Sequence, residues 1–356
     1  MAILYGSFYP FAFYSHRDPL GPVGVLAASG FKPISRDDFV ANILLYLPLG
    51  FFVVYAIQRR TLTGVVAATT AGLALSLLVE FFQFYDRGRF QELSDVFSNT
   101  VGALLGAIGG SVAHRRAPSS YLALILTCWL GARWYPALPL VPTVTVGSFF
   151  LVSSFQPLDL FRFFAAWLVV GLMIETFVGQ RRSRVALPLL LAGSLLVRAL
   201  GVDIETAELI GGAAAALLWS GLLWRLQSRT VIAAVLFGAL LVGVALEPFH
   251  FSETASAFSW VPFRSFLEAP SDTAIRSFFE KSFLYGGMVW LLVRSGLSHG
   301  AATCFGATLV FCLRLIQVYL PGRSAEITDT ILFLMLAVMM QLVSLAHHPP
   351  VKNEPA

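Results

Sequence analysis

The sequence predicts an all-α fold, a polytopic transmembrane helical bundle of about eleven spans built from internal repeats. Two observations predict it. Of 356 residues, 57% are hydrophobic and only 12% are charged, a composition typical of membrane proteins. In addition, a thirteen-residue pattern, QxYxxGRxxExxD, occurs at 83–95 and again, 234 positions later, at 317–329. Each copy follows an apolar run, so polar residues recur at one set of predicted helix ends.

Apolar runs of about 16 to 22 residues recur along the chain, and each is long enough to cross a hydrocarbon core of about 30 Å. Strands or loops exposed to lipid would leave backbone groups unpaired, so these runs are predicted to be helices. The predicted spans are 39–57, 63–84, 94–113, 120–135, 159–178, 185–200, 205–224, 230–247, 277–294, 299–320 and 327–346.

Loop arginines set the predicted orientation in a cell inner (plasma) membrane. Basic residues fall in every second connection, and the positive-inside bias makes those connections cytoplasmic. The N-terminus is then outside, the C-terminus is cytoplasmic, and both motif copies face the extracytoplasmic side. The net charge of +4 is spread over short loops, which indicates topology and argues against a nucleic-acid partner. The basic positions are Arg59-Arg60, His114-Arg115-Arg116, Arg181-Arg182, Arg184, Arg225, Arg229, Arg294 and Lys352.

The predicted repeat is a leading helix, an external loop and three further helices. Residues 9–13, YPFAF, resemble residues 247–251, EPFHF, at corresponding places. The chain is therefore divided into a first repeat with the full polar motif at 1–116, a degenerate middle repeat at 117–229, a second motif-bearing repeat at 230–346 and a cytoplasmic tail at 347–356. The leading helix of the first repeat is reduced to the first ten residues; a truncated N-terminus is the alternative explanation.

Polar residues of the first repeat collect near the predicted outer surface, in pairs that share a helix face. Together with the charged residues of the connecting turn, these pairs predict a polar opening at the outer surface, here called the polar mouth, in which a ligand could bind. The alternative is structural: acidic residues favour helix N-termini, and glycine suits a tight turn. The candidate residues are Asp38, Asn42, Glu80, Gln83, Arg87, Arg89, Glu92, Asp95 and Asn99.

The last repeat supplies secondary candidates. Glu280, Lys281 and Arg314 lie inside predicted spans, where charged groups are costly and turn towards partners. We expect the acid and the bases to form ion pairs with one another, and a proton or anion pathway is the alternative. The second motif copy adds Gln317, Arg323, Glu326 and Asp329.

These residues resemble the VanZ-like membrane proteins. The family pattern has an Asn and PLG on one helix, ExxQ on the next and DxxxNxxG on the third. It matches Asn42 with 48–50, Glu80 with Gln83, and Asp95 with Asn99. The last repeat matches more loosely, with Arg314 in place of Glu80. The resemblance implies a role in the bacterial cell envelope, since the namesake of the family is linked to low-level teicoplanin resistance.

The sequence favours a binding protein over an enzyme. Three cysteines in apolar segments argue against a disulfide framework, no metal-ligand motif occurs, and no cofactor is expected. Nor is a cleavable signal peptide visible. Besides the lipid bilayer, the expected partner is an amphiphile at the polar mouth, a lipid-linked cell-wall precursor or a lipoglycopeptide. The oligomeric state is left open.

Two other functions remain open at this point. A membrane-embedded enzyme acting on a lipid-linked phosphate or sugar would use Glu80 and Asp95 as acid and base, with Arg89 holding a phosphate. A secondary transporter is suggested by the predicted repeats and the intramembrane charges.

Overall fold

Every regular element of the described chain is helical. The structure, a computed structural model, describes residues 2–15, 18–57, 62–113, 120–135, 156–199 and 205–347. Within these ranges it has fourteen α-helices, two isolated β-bridges and no strand, which confirms the predicted all-α class. The helices are α1 Ala2–Phe8, α2 Gly21–Ser29, α3 Arg36–Ile57, α4 Leu62–Gln83, α5 Leu93–Ala113, α6 Ser120–Trp134, α7 Pro157–Val178, α8 Gln180–Ala199, α9 Thr206–Gly221, α10 Arg229–Leu246, α11 Arg264–Glu268, α12 Ser271–Arg294, α13 His299–Ile316 and α14 Thr328–His347.

Each of the eleven predicted spans coincides with a helix. Five of these helices have the length and apolarity needed to cross a membrane, which supports the membrane class; the number eleven stays a prediction. The five spans are Arg36–Val54, Leu62–Gln83, Pro157–Val178, Arg229–Leu246 and His299–Tyr319.

Two differences from the predicted helices have simple physical causes. Helix α12 begins at Ser271, six residues before the predicted start at 277, because Asp272 in its first turn suits the positive end of the helix dipole. Helix α2, only nine residues long, was not predicted because it is too short to span and lies between glycine- and proline-containing turns. The basic connections near residues 59 and 115 and the tail beyond 347 lie outside the described residues.

The chain divides into two compact units. The first unit runs to residue 120 and includes the segment Phe266–Ile275; the second comprises Tyr121–Ser265 and Arg276–Leu345. The predicted three-repeat division is not tested by this result and stays a prediction.

Close packing of α3 against α5 organises the first unit. The glycines at 50, 102 and 106 lie where a β-carbon would come within 3 Å of a backbone oxygen of the other helix. Small residues permit such approach, and in lipid, packing of this kind replaces the hydrophobic effect as the force between helices. This close contact between α3 and α5 fixes the register of the polar residues that the two helices carry.

Helix α7 lies at the centre of the second unit. Trp167 and Trp219 are buried, and the ring of Trp167 meets that of Trp129 edge-to-face at 4.9 Å between centroids. Phe237 and Phe283 pack in the same manner at 5.6 Å. Edge-to-face pairs of this type add to the stabilisation from burial alone. The second unit therefore has an aromatic core, which supports the polar residues at the ends of its helices.

Membrane orientation gives the first testable prediction. Reporter fusions after Arg60, Arg116, Arg182 and Arg294 should show a cytoplasmic reporter, because basic loops are retained on that side. Fusions at Gly88 and Gly322 should show an extracytoplasmic reporter. A cytoplasmic signal at either glycine would contradict the orientation.

Candidate functional site

The two copies of the thirteen-residue motif form the same turn. Their glycines have positive φ, 82° at Gly88 and 74° at Gly322, a conformation that favours glycine. In both copies the amide of the next residue, Arg89 or Arg323, donates a 3.4 Å bond to the carbonyl three residues earlier. The recurrent glycine is thus explained by the turn.

The glutamine of each motif holds the turn to the leading helix. Gln83 Nε2 donates to the carbonyl of Ser7 at 3.0 Å, and Gln317 Nε2 donates to the carbonyl of Ala245 at 2.7 Å. Both glutamines are buried, where an unmade hydrogen bond is costly. The same bond in both copies accounts for the recurrent glutamine.

The arginine of each motif binds the C-terminal end of the same leading helix. Arg89 Nη2 donates to the carbonyls of Gly6 and Tyr9 at 3.2 and 3.1 Å. Arg323 donates to the carbonyl of Val244 in α10 at 3.2 Å and to that of Glu247, directly after α10, at 2.8 Å; it also pairs with the Glu247 carboxylate at 3.1 Å. Carbonyls at a helix C-terminus lack partners within the helix. Both arginines therefore cap a helix, a role that the sequence did not reveal.

Three helices of the first unit bring candidate residues together in a hydrogen-bond network. Asn42 Nδ2 donates to Asp95 Oδ1 at 3.0 Å and to Ser98 Oγ at 3.1 Å. Asn99 Nδ2 donates to Ser76 Oγ at 3.0 Å. The spacing of these polar residues along α3, α4 and α5 thus produces contacts between the helices, and the side chains act first as packing partners.

Glu80 is almost completely buried, with 1% of its surface exposed. Its Oε2 accepts a 3.0 Å bond from the amide of Glu92, and its carbonyl accepts a 2.6 Å bond from Gln91 Nε2. The Glu92 carboxylate itself pairs with Lys32 at 3.2 Å. Glu80 therefore ties the end of α4 to the start of α5.

The remaining first-unit candidates lie at its surface. Asp38 accepts a 2.6 Å bond from the Ser35 hydroxyl. The Arg87 guanidinium lies over the ring of Tyr14, 5.4 Å from its centroid, a distance suited to a cation–π contact. Each of these side chains has a local partner.

The charged cluster predicted in the last repeat is present, but its pairing differs. We expected Glu280 to pair with Lys281 or Arg314; Glu280 instead pairs with Arg162. Lys281 and Arg314 both pair with Asp329, the Lys281 Nζ to Asp329 Oδ1 distance being 2.8 Å. The expectation was wrong because it overlooked the acid at the start of α14, which lies within reach of both cations.

Asp329 is completely buried, with 0% of its surface exposed. Arg314, which pairs with Asp329, also donates two hydrogen bonds. Its Nη1 donates to Gln317 Oε1 at 2.5 Å and its Nη2 donates to the Tyr285 hydroxyl at 3.2 Å. Networks of this type are stable only when their members are satisfied together. Glu326, the other acid of the motif, accepts bonds from Ser265 and fixes the segment before α12.

A cavity of about 400 Å³ lies beside this cluster in the second unit. Arg162, Glu280, Lys281, Arg314, Gln317 and Arg323 supply polar lining, with Glu247 and Tyr285. Leu241, Leu284, Val310 and Leu313 supply apolar lining. Every secondary candidate except Glu326 and Asp329 thus borders one cavity, and Asp329 lies behind it, paired with two of the lining cations.

Sequence reasoning missed Arg162, Glu247 and Tyr285 as lining residues. Arg162 could have been found, because a charge one turn inside the apolar helix α7 is itself a sign of a functional position. Tyr285 lies one turn beyond Lys281 and so shares its face of α12. Glu247 gives no such signal. Among the described residues no group of three His, Cys, Asp or Glu side chains is placed to hold a metal ion.

Comparison with known proteins identifies the first part of the chain. Residues 5–114 match the family model described as VanZ/LLP1. No curated protein and no solved structure matches the chain. The matched segment contains the end of α1 and all of α2 to α5, including the first motif turn, Asn42, Glu80 and Asp95. The chain is therefore a membrane protein that carries a VanZ-like domain over residues 5–114.

Proposed function

We propose that this VanZ-like membrane protein belongs to the bacterial cell envelope and binds an amphiphile at its extracytoplasmic face. The ligand is a lipid-linked cell-wall precursor or a lipoglycopeptide such as teicoplanin, and it is bound without chemical conversion. The observation that carries the proposal is the cavity of the second unit, with charged residues on one side and leucine and valine on the other. An amphiphile needs both kinds of surface.

Exposed aromatic residues in the segment that follows Glu247, a cavity-lining residue, support a lipid-facing site. The segment between α10 and α12 leaves Phe249, Phe251 and Trp260 more than half exposed. Aromatic side chains are enriched where protein meets the membrane–water interface. In this position they would contact the lipid chains of a ligand entering from the outer leaflet.

The contacts of the polar residues in the first unit argue against the enzymatic alternative. The Nη2 of Arg89, the expected phosphate ligand, donates to two backbone carbonyls, and Glu80 accepts a backbone amide. Asp95 is hydrogen-bonded to Asn42. These hydrogen bonds stabilise the fold, and they would have to break before the same groups could act in catalysis. A binding function therefore requires fewer rearrangements of these side chains.

Binding of purified full-length protein to defined amphiphiles tests the proposal. Native mass spectrometry in detergent should show retention of a lipid-linked cell-wall precursor or of teicoplanin, in preference to a non-ionic detergent of equal chain length. Deletion and overexpression in the host should alter glycopeptide susceptibility or envelope lipid composition. No retention of either ligand, together with unchanged susceptibility and lipid composition, would contradict the proposal.

A further inference from the structure

Six arginines and one acid lie at one end of the second unit, where α7 and α12 end and α8 and α10 begin. The acid is Glu175, near the end of α7. Helix α13, which begins directly after α12, contains no acid, and neither does α6. The arginines are Arg181, Arg182 and Arg184 in α8, Arg225 just before α10, Arg229 in α10 and Arg294 in α12.

Two of these arginines join the helix ends and share the one acid. Arg229 donates from Nε and from Nη2 to the two carboxylate oxygens of Glu175, each at 2.9 Å. Arg294 Nη2 donates to Glu175 Oε1 at 3.1 Å, and its Nη1 donates to the Thr176 hydroxyl at 2.6 Å. Glu175 is buried, and a buried carboxylate requires pairing of this kind. Arg229 and Arg294 therefore have a structural role.

The other four arginines are exposed, and none of them forms an ion pair within the described part of the chain. They are Arg181, Arg182, Arg184 and Arg225, here called the arginine surface. Helix stability does not explain the three in the first turns of α8, because the N-terminal end of a helix dipole disfavours cations. Their charge is thus available to a ligand from outside the protein.

Two residues of the arginine surface converge on Trp224. The Arg184 and Arg225 guanidinium carbons lie 5.3 and 5.1 Å from the centroid of its ring, within the range of a cation–π contact. Gln180 Nε2 donates to the Trp224 carbonyl at 2.6 Å, and the Ser220 hydroxyl donates to the Arg184 carbonyl at 2.7 Å. These bonds fix the two segments to each other. Two like charges are therefore held at one indole ring, and an anion between them would relieve their repulsion.

The arginine surface lies at the boundary of two membrane spans. The span Pro157–Val178 ends three residues before Arg181, and the span Arg229–Leu246 begins four residues after Arg225. A tryptophan at such a boundary is typical of the membrane–water interface, where its ring lies at the level of the lipid headgroups. The anionic groups nearest to these arginines in a membrane are therefore lipid phosphates.

We propose that the arginine surface binds the phosphate groups of anionic lipids in the leaflet at this end of the spans, which is the cytoplasmic leaflet in the predicted orientation. Guanidinium groups bind phosphate oxygens in a bidentate manner, and basic residues next to a membrane span attract anionic lipid. The site goes beyond the proposed amphiphile function. Glu247, which lines the cavity, follows the opposite end of α10, about 27 Å away along a helix of 18 residues.

Titration of purified full-length protein with defined lipids tests the proposal. Native mass spectrometry in a non-ionic detergent compares phosphatidylglycerol, phosphatidylcholine of identical acyl chains, and inorganic phosphate alone. Wild type should retain phosphatidylglycerol in preference to phosphatidylcholine. The double variant Arg184→Gln/Arg225→Gln should bind phosphatidylglycerol about 25-fold more weakly, because each arginine at an anionic membrane surface raises the affinity about fivefold.

Arg276→Gln is the matched control, because it removes the same charge from an exposed site near the start of α12, whereas Arg294 is at the end of that helix. It should bind phosphatidylglycerol as wild type does. If the double variant fails to fold, Arg181→Gln and Arg182→Gln decide, each with an expected loss of about fivefold.

Three outcomes would overturn the proposal. The first is equal retention of both lipids by wild type. The second is unchanged affinity for phosphatidylglycerol in the arginine variants, which would leave these arginines a role in membrane topology alone. The third is binding of inorganic phosphate as tight as that of phosphatidylglycerol and weakened by the same variants, since the ligand would then be free phosphate and not a lipid.

Discussion

Asp329→Asn is expected to cause severe loss of folded protein. Asp329 is completely buried and is the shared counter-ion of Lys281 and Arg314. An asparagine would leave two cations in a partly desolvated site without the carboxylate that pairs with both of them. Breaking a buried ion pair in this way costs about 3 to 5 kcal/mol. Thermal denaturation in detergent, with the monodisperse fraction measured by size-exclusion chromatography, reports the loss.

The matched control is Asp95→Asn at the corresponding position of the first motif copy. Asp95 accepts a bond from the neutral amide of Asn42, and an asparagine oxygen can accept the same bond. We expect a change within about 1 kcal/mol, the size of one ordinary hydrogen bond. Equal loss of folded protein in the two variants would show that the aspartate of each motif copy stabilises only the shared turn. That result would contradict the explanation based on the two cations paired with Asp329.

The helices were predictable because their signal is local. Long apolar runs specify helix in a membrane regardless of what packs against them, so all eleven predicted segments are helical. Charged residues near the ends of the predicted spans are less informative about where a helix begins. Asp272 and Arg276 lie within the first turns of α12, although the predicted span began after them, at 277. A nine-residue helix such as α2 carries no periodic signal of comparable strength.

The roles of the polar residues were less predictable because they depend on distant partners. Spacing alone identified Gln83 and Arg89 as important, yet they bind carbonyls at Ser7 and Gly6, more than seventy positions earlier. A one-dimensional pattern contains no information about which backbone atoms lie nearby. Arg314 likewise was recognised as an intramembrane charge, whereas its pairing with Asp329 could be read only from the structure.

Packing between α3 and α5 leads to a second prediction with a large expected effect, that of Gly106→Ala. A β-carbon at Gly106 would lie 2.0 Å from the carbonyl oxygen of Leu47, well inside van der Waals contact. No rotamer change relieves the clash, because the neighbouring atom belongs to the backbone and the added methyl group has no alternative position. The two helices must therefore separate, which also weakens the bond from Asn42 to Asp95 between them.

We expect Gly106→Ala to destabilise the protein by about 3 kcal/mol, at the upper end of the range for overpacked sites. Gly109→Ala is its control on the same helix, since nothing lies within 4 Å of a β-carbon there. The higher helix propensity of alanine should leave that variant as stable as wild type, or slightly more so. The measurement is the detergent denaturation midpoint of both variants. Similar midpoints for Gly106→Ala and Gly109→Ala would show that α3 and α5 do not approach as closely in the membrane, and the register of the polar residues on these helices would then have to be set by other contacts.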